Sequence, residues 1–183
     1  LGFDAAALAM IKRLMSRPHG LFLVCGPTGS GKTTTLHSLL GHLNTDDRKI
    51  WTAEDPIEIS QPGLRQVQVN AKIGWTFAAA MRSFMRADPD VIMVGEMRDA
   101  ETAKIGIEAS LTGHMMLSTL HTNSAAESVV RLLDLGMDPF NFADALLGVL
   151  SQRLVRRLCA KCRQAYAAQD AERSQVASQR PRI

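Results

Sequence analysis

Lys32 and Thr33 close an eight-residue run, Gly26-Pro27-Thr28-Gly29-Ser30-Gly31-Lys32-Thr33, that matches GxxxxGK[ST] at every fixed position. The chemistry such a run performs is phosphate binding. Glycines at 26, 29 and 31 let the backbone wrap closely, with its N–H groups turned inward. A helix starting at the end of the run adds partial positive charge. Lys32 is expected to reach the β- and γ-phosphates of a nucleoside triphosphate, and Thr33 to bind Mg²⁺. Gly26, Thr28, Gly29, Ser30, Gly31, Lys32, Thr33 and Thr34 are the expected cofactor-binding set.

Phosphoryl transfer to water also needs an oriented nucleophile and a held metal. Two acidic positions are candidates. One is Glu54, in Glu54-Asp55-Pro56-Ile57-Glu58, where Pro56 ends a strand in a rigid loop. The other is Glu96, two residues past the apolar run Val91–Val94. A carboxylate at the end of a buried strand beside a phosphate loop would hold Mg²⁺ through water or position the attacking water. Most acids are simply solvated, so these two gain meaning from the loop beside them. Asp99 and Glu101 are explained by a favourable charge at a helix start. His114 and His121 bracket the run Met115–Leu120. Both read as ordinary turn histidines, or His121 as a group that senses or donates to the γ-phosphate.

The elements that must position these residues alternate along the chain. Strands are expected at 21–25, 49–53, 91–94 and 115–120, with 66–69 an edge strand or hairpin arm. Helices are expected at 8–15, 33–43, 76–85, 100–111, 125–135 and 142–158. This alternation implies an α/β domain with a mostly parallel sheet covered by helices on both faces. The segment after Arg163 is rich in Ala, Gln, Ser and Arg and is expected to be disordered.

Composition excludes several classes. The chain has 183 residues, 46% hydrophobic and 21% charged, which suits one globular domain. No apolar run approaches the roughly 18 residues of a membrane span. The net charge of +3 divides unevenly. Residues 151–183 hold eight Lys/Arg against two acids, and residues 1–150 hold 13 against 16. The positive charge therefore belongs to the C-terminal tail, most simply a solvated one or else one that touches acidic lipid, RNA or a partner, and is not spread over a working face as in a nucleic-acid enzyme. Three cysteines give no disulfide framework, which fits a reducing cytosol.

Four segments stand in a fixed order: GPTGSGKTTT at 26–35, TAEDPIEI at 52–59, PDVIMVGEMRDAETA at 89–103 and GHMMLSTLHTNSA at 113–125. Over roughly residues 1–163 the chain resembles the secretion-ATPase superfamily that drives type II secretion and type IV pilus assembly. The segments fall on its Walker A, Asp box, Walker B and His box. The QRLVRRLCAKC stretch at 152–162 is similar to assembly and export motors, whereas retraction motors generally lack those cysteines. The resemblance implies a RecA-like P-loop NTPase domain over 1–163; the basic tail over 164–183, expected from its composition to be disordered, lies outside the resemblance. It implies cytoplasmic ATP hydrolysis with Mg²⁺ in a homohexameric ring that drives an inner-membrane platform protein. By residue, it implies Glu96 as the main catalytic acid and Mg²⁺ ligand beside Thr33. Glu54 would help with metal or water, and His114 and His121 would belong to the nucleotide-sensing box.

Two departures matter. The family carries a preceding domain that lends arginines to the site, and only 25 residues precede Gly26 here. The chain by itself is accordingly expected to hydrolyse ATP poorly. Family members that bind Zn²⁺ use two CxxC pairs. Cys159 and Cys162 make only half of such a four-ligand site, so no tightly bound zinc is expected. Two other classes compete. One is a RecA-like DNA translocase or DNA-uptake ATPase, which salt-dependent DNA binding would favour. The other is a nucleotide-binding interaction module with little turnover.

Overall fold

The computed structural model describes residues 2–178. Its centre is a six-stranded sheet, β1 Gly20–Cys25, β2 Ile50–Glu54, β3 Arg65–Gln68, β4 Val91–Val94, β5 Met115–Leu120 and β6 Leu146–Ser151. Every pairing is parallel, in the order β3-β2-β4-β5-β1-β6. The segment 66–69, open between two assignments in the sequence, is thus a parallel edge strand.

Strand β1 shows how the sheet is covered. Leu21, Leu23 and Cys25 point into one apolar cluster, and Phe22 and Val24 into another. That is the two-residue alternation of a strand buried on both faces. Helices α1 Ala5–Met15 and α2 Lys32–Leu43 cover one face through Ile11, Met15, Leu36, Leu39, Leu40 and Leu43. Helices α3 Phe77–Met85 and α4 Ala100–Leu111 cover the other, joined by Leu132 of α5 Ala125–Asp134 and Phe142 of α6 Pro139–Ala145.

The chain leaves β1 for β2 on one side and returns to β6 on the other. Open parallel sheets bind ligands at such a reversal, beyond the carboxyl ends of the strands. Here β2, β4, β5 and β1 end in a row along one edge.

Two expectations need correction. Residues 142–158 do not form one helix. Asp138 caps α6 by accepting from the Phe140 and Asn141 N–H groups at 2.9 and 3.1 Å, and α6 ends at Ala145. The following LLGVLS pairs with β1, whose second edge would otherwise be open. Gly148 permits this because a Cβ there would sit 3.2 Å from Leu14 and 3.6 Å from Phe22. The segment beyond Arg163, expected to lack structure, carries helix α7 Asp170–Ser178, with Asp170 and Glu172 in its first turn. Acids at that end suit the helix dipole. Positions 179–183 of the expected tail lie outside the described residues. Among the described residues no helix is long and apolar enough to cross a membrane.

Candidate functional site

Residues 26–31 link β1 to α2 and fold as a loop that only glycine permits at three points. Gly26, Gly29 and Gly31 have φ of 148°, 77° and 85°. A Cβ on Gly26 would lie 2.5 Å from the Gln152 carbonyl, whereas one on Gly29 would meet nothing within 4 Å. The loop is therefore packed tightly on its back and open towards the cleft. Helix α2 begins with Gly31 as its N-cap and no side-chain cap bond. Asp4, Thr76, Asp99, Ser124 and Asp138 do cap α1, α3, α4, α5 and α6. The first N–H groups of α2 thus keep their positive partial charge for an anion. The Ser30 hydroxyl inside the loop is buried and has no partner among the described residues.

Lys32 is 8% exposed, and its ammonium donates to the Gly26 and Pro27 carbonyls at 2.8 and 3.0 Å. Burial lowers its pKa, opposed chiefly by the nearby Glu96 carboxylate. A buried ammonium held by two carbonyls can exchange them for phosphate oxygens.

Around the loop opens a cleft of about 580 Å³. Lys32, Thr33 and Thr34 line it with Glu54, Glu96 and His121. Glu96 accepts from Arg98 Nε at 2.6 Å, and its other oxygen lies 3.4 Å from His121 Nε2. That hydrogen bond and the Glu96 charge raise the Arg98 pKa. Glu54 is nearly buried and accepts from three groups: His37 Nε2 at 3.0 Å, Thr52 Oγ1 at 2.6 Å and Gln66 Nε2 at 2.9 Å. Burial pushes its carboxyl up, and the bonds from His37, Gln66 and Thr52 together overcome this and hold it below the ordinary value.

His114 is not brought to the cleft. It precedes β5 while His121 follows it, so the six-residue strand separates them by about 20 Å. Its Nδ1 instead lies 3.1 Å from the Ala109 carbonyl at the end of α4. Cys159 and Cys162 are exposed on a turn closed by Arg163 N–H to the Cys159 carbonyl at 2.9 Å. Hydrogen bonding from the Lys161 backbone, then from Cys162, holds the Cys159 thiol below its ordinary value. Among the described residues no group of three or more His, Cys, Asp or Glu is gathered to hold a metal. Mg²⁺ does not require one, because it binds through one or two protein groups plus water and substrate phosphates. Thr33 and Glu96 line one cleft with the phosphate loop and are the groups there that could hold Mg²⁺.

Sequence reasoning missed three contributors. Arg98 follows Glu96 by two residues, and only the structure shows its Nε donating to that carboxylate. His37 lies within the helix expected over 33–43, and nothing in the sequence near it points to Glu54. Gln152 fell inside an expected helix, yet it contacts the phosphate loop from the end of β6. Only the apolar run around Gly148 hinted at that strand.

A parallel α/β sheet carrying this loop beyond β1 and acids at the carboxyl ends of β2 and β4 defines a P-loop NTPase of the RecA-like type. Its family is narrower. Residues 1–182 match the model for the type II/IV secretion system protein, and the chain belongs to that family. It is 56% identical over 163 residues to the type II secretion system protein HxcR of Pseudomonas aeruginosa, covering 89% of this chain and 35% of that one. It is 58% identical over 163 residues to the type IV pilus assembly ATPase PilB of Myxococcus xanthus, covering 89% of this chain and 29% of that one. Among solved structures, the pilus retraction motor PilT with bound ADP superposes with a TM-score of 0.72 at 39% identity, over 85% of this chain and 47% of that one. The chain thus spans about a third of the length of these curated relatives.

Proposed function

We propose that this chain is the ATP-binding and ATP-hydrolysing core of a motor for type II secretion or type IV pilus assembly. The observation that carries the reading is the meeting of three features at one cleft. These are the uncapped start of α2, the buried Lys32 ammonium and the Glu96 carboxylate. The ADP held by a PilT relative of the same fold supports a nucleotide in this place.

In this reading the N–H groups of Lys32, Thr33 and Thr34 cradle the phosphates, and Lys32 moves from the Gly26 and Pro27 carbonyls to the β- and γ-phosphate oxygens. Thr33 and Glu96 would hold Mg²⁺, which would supply charge neutralisation for the phosphates. Glu96 orients the attacking water. The new bond forms from water oxygen to the γ-phosphorus as the bond to the β–γ bridging oxygen breaks, leaving ADP and phosphate. Glu54 is held too firmly for large motion and keeps a fixed negative charge on the cleft floor. His121, beside Glu96, is placed to register loss of the γ-phosphate. The chain works as part of a hexamer on the cytoplasmic side of the inner membrane, against a platform protein.

Steady-state ATP hydrolysis, with Glu96→Gln as the blank, tests the enzyme. Turnover that disappears in Glu96→Gln while ADP still binds supports the reading. Equal release of phosphate by both proteins overturns it and leaves a nucleotide-binding module.

A further inference from the structure

The strand that the sequence did not reveal ends against the phosphate loop. Gln152 follows β6 directly, and its backbone N–H donates to the Cys25 carbonyl at 3.0 Å. Its side chain then turns onto the loop. Nε2 donates to the Ser30 carbonyl at 2.5 Å, and Oε1 accepts from the Thr35 hydroxyl at 2.8 Å. The orientation of the amide is fixed by chemistry, because a carbonyl can only accept and so must face the nitrogen.

We propose that Gln152 is a positioning residue for the phosphate loop, holding the Ser30–Gly31 peptide in the orientation that binds a nucleotide's phosphates. In a trans peptide the C=O and N–H point in opposite directions. Anchoring the Ser30 carbonyl on Gln152 therefore turns the Gly31 N–H the other way. It also withholds the Ser30 carbonyl from α2, whose first turn closes one residue later through Thr35 N–H to the Gly31 carbonyl at 3.0 Å. The Thr34 N–H, which the Ser30 carbonyl could otherwise take, thus stays free alongside those of residues 31–33, which lack helical partners by their place at the helix start. Thr35 is 2% exposed and sits in the second turn, so the amide braces the loop against the body of the helix. The glycines agree with this close approach: a Cβ on Gly31 would come 3.2 Å from Gln152 Nε2, and one on Gly26 would strike the Gln152 carbonyl.

Gln152 touches no phosphate in this scheme, so its effect is on affinity for the phosphate chain. The inference rests on the nucleotide-site reading. Gln152→Met keeps the side-chain length and removes both hydrogen bonds. Titration calorimetry with ADP and Mg²⁺ is expected to show affinity about tenfold weaker, the size of two lost neutral hydrogen bonds. Thr35→Val removes one bond and is expected to weaken ADP less. Thr35→Ser keeps the hydroxyl and is expected to bind like the parent. The double variant Gln152→Met/Thr35→Val should bind no worse than Gln152→Met alone, since both act through one amide. Parent-like ADP affinity in Gln152→Met overturns the proposal, however much its melting temperature falls, because bracing that leaves phosphate binding untouched is only structural. If Gln152→Met does not fold, parent-like affinity in Thr35→Val overturns it instead. A parent chain that binds no ADP overturns the nucleotide site itself, a failure distinct from unchanged variants of a binding parent.

Discussion

Glu54 keeps its carboxylate 3% exposed among His37, Thr52 and Gln66, whereas the Glu96 side chain opens to the cleft beside Arg98 and His121. The same chemical group is thus a fixed charge in one place and a usable one in the other. Glu54→Gln should lower stability by about 1–3 kcal/mol, the cost of disturbing a buried, fully bonded acceptor. Urea unfolding at neutral pH measures it. Glu54 also predicts a pH dependence. Its folded pKa lies below the ordinary 4.5, so its contribution is present above that value and is lost as pH falls through the lower folded value. The stability difference between parent and Glu54→Gln should therefore hold from neutral pH down to about the ordinary 4.5 and shrink on further acidification. A difference that grows on acidification would mean the carboxyl is held protonated.

Asp99 illustrates the scale of elements. In the sequence it looked like a charge near a helix start. In the structure it is the N-cap of α4, accepting from the Thr102 N–H at 2.8 Å and from the Thr102 hydroxyl at 3.1 Å. Asp99→Ala is expected to cost about 1 kcal/mol in thermal or urea unfolding and to leave the per-chain ATPase rate unchanged. A fall in rate with no fall in stability would instead place Asp99 in the catalytic machinery. The sites carried by β1, β4 and β5 were legible because each is an apolar run that ends in a chemical group. Lys32, Glu96 and His121 reach one cleft because parallel strands deliver all their carboxyl ends to one edge. β6 was not legible, since Leu146, Leu147, Val149 and Leu150 fit a buried strand or one helix face equally well over so short a run. Pairing with β1 decided between them, and that pairing is invisible from the segment alone. Losing β6 also lost Gln152. The partners of Glu54 were hidden for a similar reason: His37 and Gln66 lie 17 and 12 residues away, and only the fold brings them in.

At the scale of the whole molecule, Glu96 lines the cleft and stays only partly buried there. If neighbouring copies complete the site, as a hexameric motor requires, the hydrolysis rate per chain should rise with protein concentration and vanish in Glu96→Gln. A rate that is flat over a wide concentration range would mean that one chain holds all the groups it uses.

The Ser30–Gln152 bond spans 122 residues of sequence, and it has a kinetic consequence. All four ordered motifs are complete by residue 125, yet the phosphate loop gains its brace only when the last strand docks on β1. Such long-range closure is slow and comes late in folding. A ligand that recognises only the braced loop has nothing to bind in the earlier transition state. ADP should therefore leave the refolding rate almost unchanged and slow unfolding, the behaviour of an interaction absent from the folding nucleus. Stopped-flow refolding that accelerates with ADP would show that the loop takes its binding shape before β6 arrives.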